Sequence, residues 1–194
     1  MGKGRLEAFS DGVIAIIITI MVLEIKVPHG DQAEALAPLV PVLLSYVLSF
    51  VYLGIYWNNH HHLLHTASRV TGPILWANLH LLFWLSLVPA STSWIGETHF
   101  APTPTALYGA ILFMAGLAYY ILQLLIIRSQ GPDSIARATL SSHWKERSSV
   151  LLYLAGTAVA FWAPPVALAL FVLVALLWLI PDPRIERAMA ERDG

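Results

Sequence analysis

The chain contains no cysteine among its 194 residues. Disulfide bonds and thiolate-bound metal centres are therefore excluded. Charged side chains are also scarce, since Asp, Glu, Lys and Arg make up 12% of the residues, against about 25% in an average soluble domain. The formal net charge is −1, which gives no reason to expect a nucleic-acid partner.

The sequence also lacks the short motifs that carry most enzyme chemistry. It has no P-loop, no dinucleotide fingerprint, no nucleophile elbow and no HExxH zinc motif. A TVGYG carbonyl filter of the potassium-channel type is absent as well. We therefore predict a protein that is not an enzyme and that holds no cofactor.

The sequence is instead rich in long apolar runs, and 57% of the residues are hydrophobic. A membrane-spanning helix needs about 20 mostly apolar residues. Six candidate spans meet or approach that length, at about Leu6–Ile25, Leu39–Leu64, Thr71–Ile95, Thr105–Ile127, Ser149–Ala163 and Pro164–Ile180. We expect an all-α integral membrane protein with one six-helix transmembrane domain over 1–181 and a short amphipathic cytosolic tail over 182–194.

The division between the last two spans depends on Pro164 and Pro165, which cannot both continue a helix. One helix over 149–180 would be roughly 48 Å long, too long for a single crossing of a hydrocarbon core of about 30 Å. A tight hairpin at the two prolines is therefore the simpler prediction.

The basic residues assign an orientation to these six spans. Ten of them fall on the side that carries both termini and only Lys26 falls on the other; the ten are Lys3, Arg5, Arg69, Arg128, Arg137, Lys145, Arg147, Arg184, Arg187 and Arg192. Short cytoplasmic segments carry such an excess of Lys and Arg. We expect a multi-pass protein of the plasma (inner) membrane with both termini in the cytoplasm.

The first span separates into faces on a helical wheel of 100° per residue. Large aliphatic residues form a ridge that lies roughly 120° to 180° from Asp11; they are Ile16, Ile20 and Leu23, with Val27 beyond them. Beside the ridge runs a stripe of small residues, Ala8, Gly12, Ala15 and Thr19. Because small residues let helices approach closely in lipid, we expect the stripe to be buried against protein and Asp11 to face the subunit's own bundle. The ridge fits either lipid contact or the lining of a narrow pore.

Polar groups at the ends of spans 2 and 3 offer partners for Asp11. By depth, a buried network of Arg5, Ser10, Asp11, His60 or His61, and Asn78 is possible near the cytoplasmic face. Such a network would lock the helices together, or it would carry protons or metal ions in a small coupled transporter. His61 and His65 stand four residues apart, a spacing that suits a metal, but two further ligands would be needed. Hydrogen bonding is the favoured role for this histidine cluster, and a membrane enzyme that uses it is the third alternative.

These residues resemble a known signature. The pattern Arg5-x-x-x-Phe9-Ser10-Asp11-Gly12-Val13-x-Ala15-Ile16-x-x-Thr19 is similar to that of the transmembrane protein 175 family, which comprises the endolysosomal potassium channel and its bacterial relatives. Matches continue through the first half of the chain, at Leu23-Glu24-Ile25-x-Val27-Pro28, at Trp57-x-x-His60-His61, and at Asn78 followed by Pro89.

The resemblance implies a homotetrameric, potassium-permeable and weakly selective cation channel that lacks a carbonyl filter. It implies that span 1 lines the pore, with the constriction at Ile16 and deeper positions at Thr19 or Ile20 and at Leu23. The motif and interhelical network would comprise Arg5, Phe9, Ser10, Asp11, Trp57, His60, His61 and Asn78. The expected partners are other copies of the chain, membrane lipid, and permeant potassium and other monovalent cations.

Overall fold

The computed structural model describes residues 2–28, 31–130 and 144–179, and every element of regular structure within them is helical. Within these ranges, seven α-helices follow one another: α1 Lys3–Ile20, α2 Val40–Thr66, α3 Gly72–Ser86, α4 Val88–Glu97, α5 Pro102–Gln130, α6 Trp144–Val159 and α7 Pro164–Leu179. Two 3₁₀ segments extend α1 and precede α2, at Met21–Glu24 and Ala33–Leu39.

These helices form six segments that match the six predicted spans in order. The helices α3 and α4 make up one segment, interrupted at Leu87, two residues before Pro89, whose ring nitrogen carries no hydrogen for the helical ladder. By length and composition, four segments can cross a membrane: Lys3–Glu24, Ala33–His65, Gly72–Glu97 and Pro102–Ser129. The helices α6 and α7 are shorter, at 16 residues each. The predicted tail over 182–194 lies outside the described residues, as do Arg137, Arg184, Arg187 and Arg192.

The hairpin between α6 and α7 confirms the prediction drawn from the two prolines. Helix α6 ends at Val159 and α7 begins at Pro164. The backbone amide of Ala163 closes the turn by donating to the Val159 carbonyl oxygen at 2.8 Å. Pro164 and Pro165 fall in the first turn of α7, where a backbone N–H has no intrahelical partner and its loss costs little.

Helix α5 lies at the centre of the packing, against α3, α4, α6 and α7. Phe171 of α7 is fully buried beside Gly109 of α5 and Gly156 of α6. A Cβ atom at Gly109 would stand 2.5 Å from Cζ of the Phe171 ring, and one at Gly156 would stand 2.6 Å from Cε1. The two glycines therefore allow three helices to close around one aromatic ring.

Helix α1 packs on one side only, against α2, α3 and α4. Its buried positions, together with the first residue of the 3₁₀ segment, follow helical spacing along one face; they are Leu6, Ser10, Ile14, Ile17 and Met21. Val13 and Ile18 are half-buried beside this face, and the side of α1 opposite to it is open in the subunit.

Candidate functional site

The ridge predicted on the first span lies on the open face of α1 and of the 3₁₀ segment that extends it. Ile16 is 65% exposed, Ile20 45% and Leu23 77%. The three side chains cover roughly 10 Å along the helix at 1.5 Å per residue. Thr19 is exposed beside them, and its hydroxyl donates to the Ala15 carbonyl oxygen at 2.9 Å. An ion passing this face would therefore meet hydrocarbon and one hydroxyl that is already bonded to its own helix.

The small-residue stripe lies outside the packing of its own subunit, and its burial against protein stays a prediction. Ala8, Gly12 and Ala15 are exposed, and a Cβ atom at Gly12 would meet nothing within 4 Å. The rotation of α1 is fixed instead by the larger aliphatic side chains and Ser10, which bury the opposite face. The stripe and the ridge thus share one unpartnered surface of the subunit.

A chain of hydrogen bonds joins α1, α2 and α3 behind that surface. His60 Nε2 donates to Asn78 Oδ1 at 2.6 Å, and Asn78 Nδ2 donates to Ser10 Oγ at 2.9 Å. The Ser10 hydroxyl then donates to the Leu6 carbonyl oxygen at 2.9 Å. All three side chains are at most 1% exposed. Every step has a donor and an acceptor, as a buried polar network requires, and the structure selects His60 over His61 for it.

A second contact fixes α1 nearer the rim of the bundle. Trp57 Nε1 donates to Asp11 Oδ1 at 3.0 Å, which ties the half-buried carboxylate to α2. Asp11 is therefore held away from the exposed ridge. His61 stacks on the Trp57 ring, with centroids 6.4 Å apart, and stays outside the buried chain. Arg5 and Phe9 are exposed on α1, apart from both contacts.

The far end of the same helical segment has its own attachments, which sequence reasoning missed. Lys26 Nζ lies 2.6 Å from Glu97 Oε1 at the end of α4. The hydrogen bond to the Glu97 carboxylate raises the pKa of Lys26. Close by, Ser93 donates to Glu24 Oε2 at 3.2 Å. These partners are about 70 residues apart in the chain, and nothing in local periodicity could have paired them.

The ridge and the polar network offer positioning rather than catalysis. Within the described ranges, no group of three or more His, Cys, Asp and Glu side chains is placed to hold a metal ion. Polar contacts hold α1 at both ends, and the segment between them presents bare aliphatic side chains. Such a surface can constrict a passage without coordinating what passes through it.

Comparison with known families gives one matching family model, described as the endosomal/lysosomal potassium channel TMEM175. It matches residues 5–89 of this chain. That range contains α1 to α3 and the start of α4, and with them the ridge and the polar network.

Two bacterial relatives extend the similarity over the whole chain. A protein of Chryseobacterium sp., named a potassium channel, is 56% identical over 191 residues, covering 98% of this chain and all of the relative. A protein of Streptomyces collinus with the same description is 32% identical over 200 residues, covering 96% of this chain and 97% of the relative.

A solved structure shares the fold. The crystal structure of a lysosomal potassium-selective channel TMEM175 homolog from Chamaesiphon minutus superposes with a TM-score of 0.78 at 28% identity. The match covers 91% of this chain and 96% of the homolog. The likeness therefore includes α5 to α7, where the sequence alone matched in span count and hydropathy only.

Proposed function

The chain belongs to the TMEM175 family, and from that premise we propose that it is the subunit of a potassium-permeable, weakly selective cation channel. The constriction of this channel is formed by aliphatic side chains of α1. The observation that carries the proposal is the exposed ridge of Ile16, Ile20 and Leu23 on a helix whose other face is fixed by polar contacts.

An aliphatic ring determines how such a channel would discriminate among ions. It offers no oxygen atoms to replace the water around a cation, so the ion must pass with part of its hydration shell in place. Losing part of that shell costs less for potassium than for sodium, which favours potassium weakly. A narrow hydrophobic ring also opens and closes the path by wetting and dewetting.

One subunit presents the ridge but does not enclose it, so the proposed pore requires several copies of α1 around an axis. Closed symmetric assemblies are the usual form of such homo-oligomers. We propose a homotetramer, in which the exposed ridge of each chain faces the axis. Potassium and other monovalent cations are then the permeant species, and membrane lipid surrounds the assembly.

Side-chain contacts support the proposed orientation in the inner membrane. Lys3 donates to the His65 carbonyl oxygen and Arg69 donates to that of Ser129. The start of α1 and the ends of α2 and α5 therefore meet at one end of the bundle, together with basic residues. Lys26 lies at the opposite end of its segment, beside Glu97. The positive end would face the cytoplasm.

Planar-bilayer recording of the purified protein under potassium and sodium gradients tests this function. Ile16→Asn should raise the unitary conductance and reduce discrimination between the two cations, because it places a polar group in the constriction. Val22→Asn is the matched control: Val22 is also exposed in this helical segment but lies far from the ridge on the wheel. If Ile16→Asn leaves conductance and discrimination unchanged, the constriction lies elsewhere.

The same recording separates the channel from the alternative of a proton- or metal-coupled transporter using Asp11 and His60. A channel gives discrete single-channel steps. Saturable, pH-coupled uptake without steps would favour the transporter instead.

A further inference from the structure

Two histidines at the end of α2 have no part in the network or in the proposed pore. The buried chain uses His60, whereas His61 and His65 are exposed. They stand four residues apart, so they lie on the same face of the helix. Their rings are stacked, with centroids 6.0 Å apart and an angle of 26° between the ring planes.

The separation leaves room for one metal ion between the two histidines once the stacked rings turn their nitrogens towards it. A metal–nitrogen bond of about 2.0–2.1 Å places the ion roughly 3.2 Å from each ring centroid, so two rings on one ion stand at most about 6.4 Å apart. The observed 6.0 Å falls within that limit. A tetrahedral angle at the ion needs about 5.2 Å, which exposed side chains can reach by small rotations.

One aromatic ring and one ion pair lie beside the two histidines. Trp57 stacks on His61 at an interplanar angle of 28°. Lys3 is the basic group near His65, and its Nζ is directed to the His65 carbonyl oxygen at 2.9 Å. Its charge is opposed by Glu7, whose Oε1 lies 3.9 Å away. The negative charge of Glu7 therefore partly offsets the repulsion between Lys3 and an incoming cation.

We propose that His61 and His65 chelate one divalent transition-metal ion of the class that prefers imidazole, such as Cu²⁺, Ni²⁺ or Zn²⁺. Two imidazoles are the whole protein contribution among the described residues, since these hold no metal-binding group of three. Water fills the remaining positions, and the ion exchanges with solution. The site is distinct from the pore and from the buried His60.

Titration of Zn²⁺ into the purified full-length chain in lipid nanodiscs, with any affinity tag removed, tests the site. The intact chain should bind one equivalent, and His65→Ala should weaken binding about tenfold or more. The double change His65→Ala with Thr66→His keeps the number of histidines but moves the second one to the fifth position from His61. It should not restore binding. His80→Ala, on α3, should bind as the intact chain does.

Paramagnetic resonance of the Cu²⁺ complex provides a second measurement on the unmutated chain. Two imidazole nitrogens should split the copper signal, and His61→Ala should reduce the coupling to one nitrogen. Coupling to a single nitrogen in the intact chain overturns the proposal, as does unchanged Zn²⁺ affinity in His65→Ala. Loss of binding in His60→Ala with retention in His65→Ala would assign the ion to the buried histidine and would also overturn it.

Discussion

At the scale of the residue, Asn78 holds the most demanding position in the structure. It accepts from His60 through Oδ1 and donates to Ser10 through Nδ2, so one amide joins α2 to α1 from its place on α3. A carboxylate could accept from His60 but could not donate to Ser10 when ionised, and an aliphatic side chain could do neither. The amide group therefore suits this position because its oxygen accepts one hydrogen bond and its nitrogen donates the other.

Asn78→Leu should destabilise the protein by about 1–3 kcal/mol, because it leaves the buried His60 donor and the Ser10 oxygen without their partner. Thermal unfolding in detergent, followed by tryptophan fluorescence, measures the fall in Tm. Ser86→Ala is the control, since that exposed hydroxyl on the same helix bonds only to the Phe83 carbonyl oxygen. A Tm for Asn78→Leu equal to that of the control would show that the network adds no stability.

Sequence reasoning named Ser10 and Asn78 correctly but could not choose between His60 and His61, and it also included Arg5 and Asp11, which lie outside the buried chain. The predicted boundaries of spans 1 and 3 placed Ser10 and Asn78 at a similar depth in the membrane, and such boundaries can be read from the sequence. The choice of histidine depends on the rotation of α2, and that rotation is set by the burial of Tyr52, Tyr56 and Leu63 on the same side as His60.

At the scale of the element, the order of helices was predictable while the direction of their faces was not. Apolar runs and the two prolines predicted six segments and the hairpin between α6 and α7. The wheel of α1 gave the ridge and the stripe, yet periodicity carries no information about which face meets protein. In the subunit, Ile14, Ile17 and Ser10 fill the core, which turns the small residues of the stripe outward.

Gly156→Ala should destabilise the contact of α5, α6 and α7 by about 1–3 kcal/mol, because the added methyl group overlaps the rigid, fully buried ring of Phe171. Gly54→Ala is the matched control on α2, where a Cβ atom would meet nothing within 4 Å. Alanine there should be neutral or stabilising, since it favours the helix by up to about 1 kcal/mol over glycine. Equal Tm values for the two variants would mean that α7 moves to accommodate the methyl group without loss of stability.

At the scale of the whole molecule, the absence of cysteine makes the orientation directly testable. Each of the variants Gly2→Cys and Glu34→Cys contains a single thiol. Gly2 precedes α1, and Glu34 lies in the 3₁₀ segment that precedes α2, beyond the other end of the first helical segment. If the termini are cytoplasmic, a membrane-impermeant maleimide added to intact cells should label Glu34→Cys and spare Gly2→Cys. After the cells are permeabilised, the same reagent should label both variants. The reverse pattern would place the termini outside.

The unpartnered face of α1 leads to a prediction about assembly. The small-residue stripe is open within the subunit, and small residues allow close helix approach in lipid, so in the proposed homotetramer the stripe would meet a neighbouring chain. Gly12→Leu should then disrupt the four-chain species in native mass spectrometry while the subunit keeps its Tm, because nothing within 4 Å opposes a side chain there. Gly54→Leu, at an equally open glycine on α2, should remain four-chain. If Gly12→Leu also remains four-chain, the stripe faces lipid or the lumen, and the subunit contacts must come from another surface.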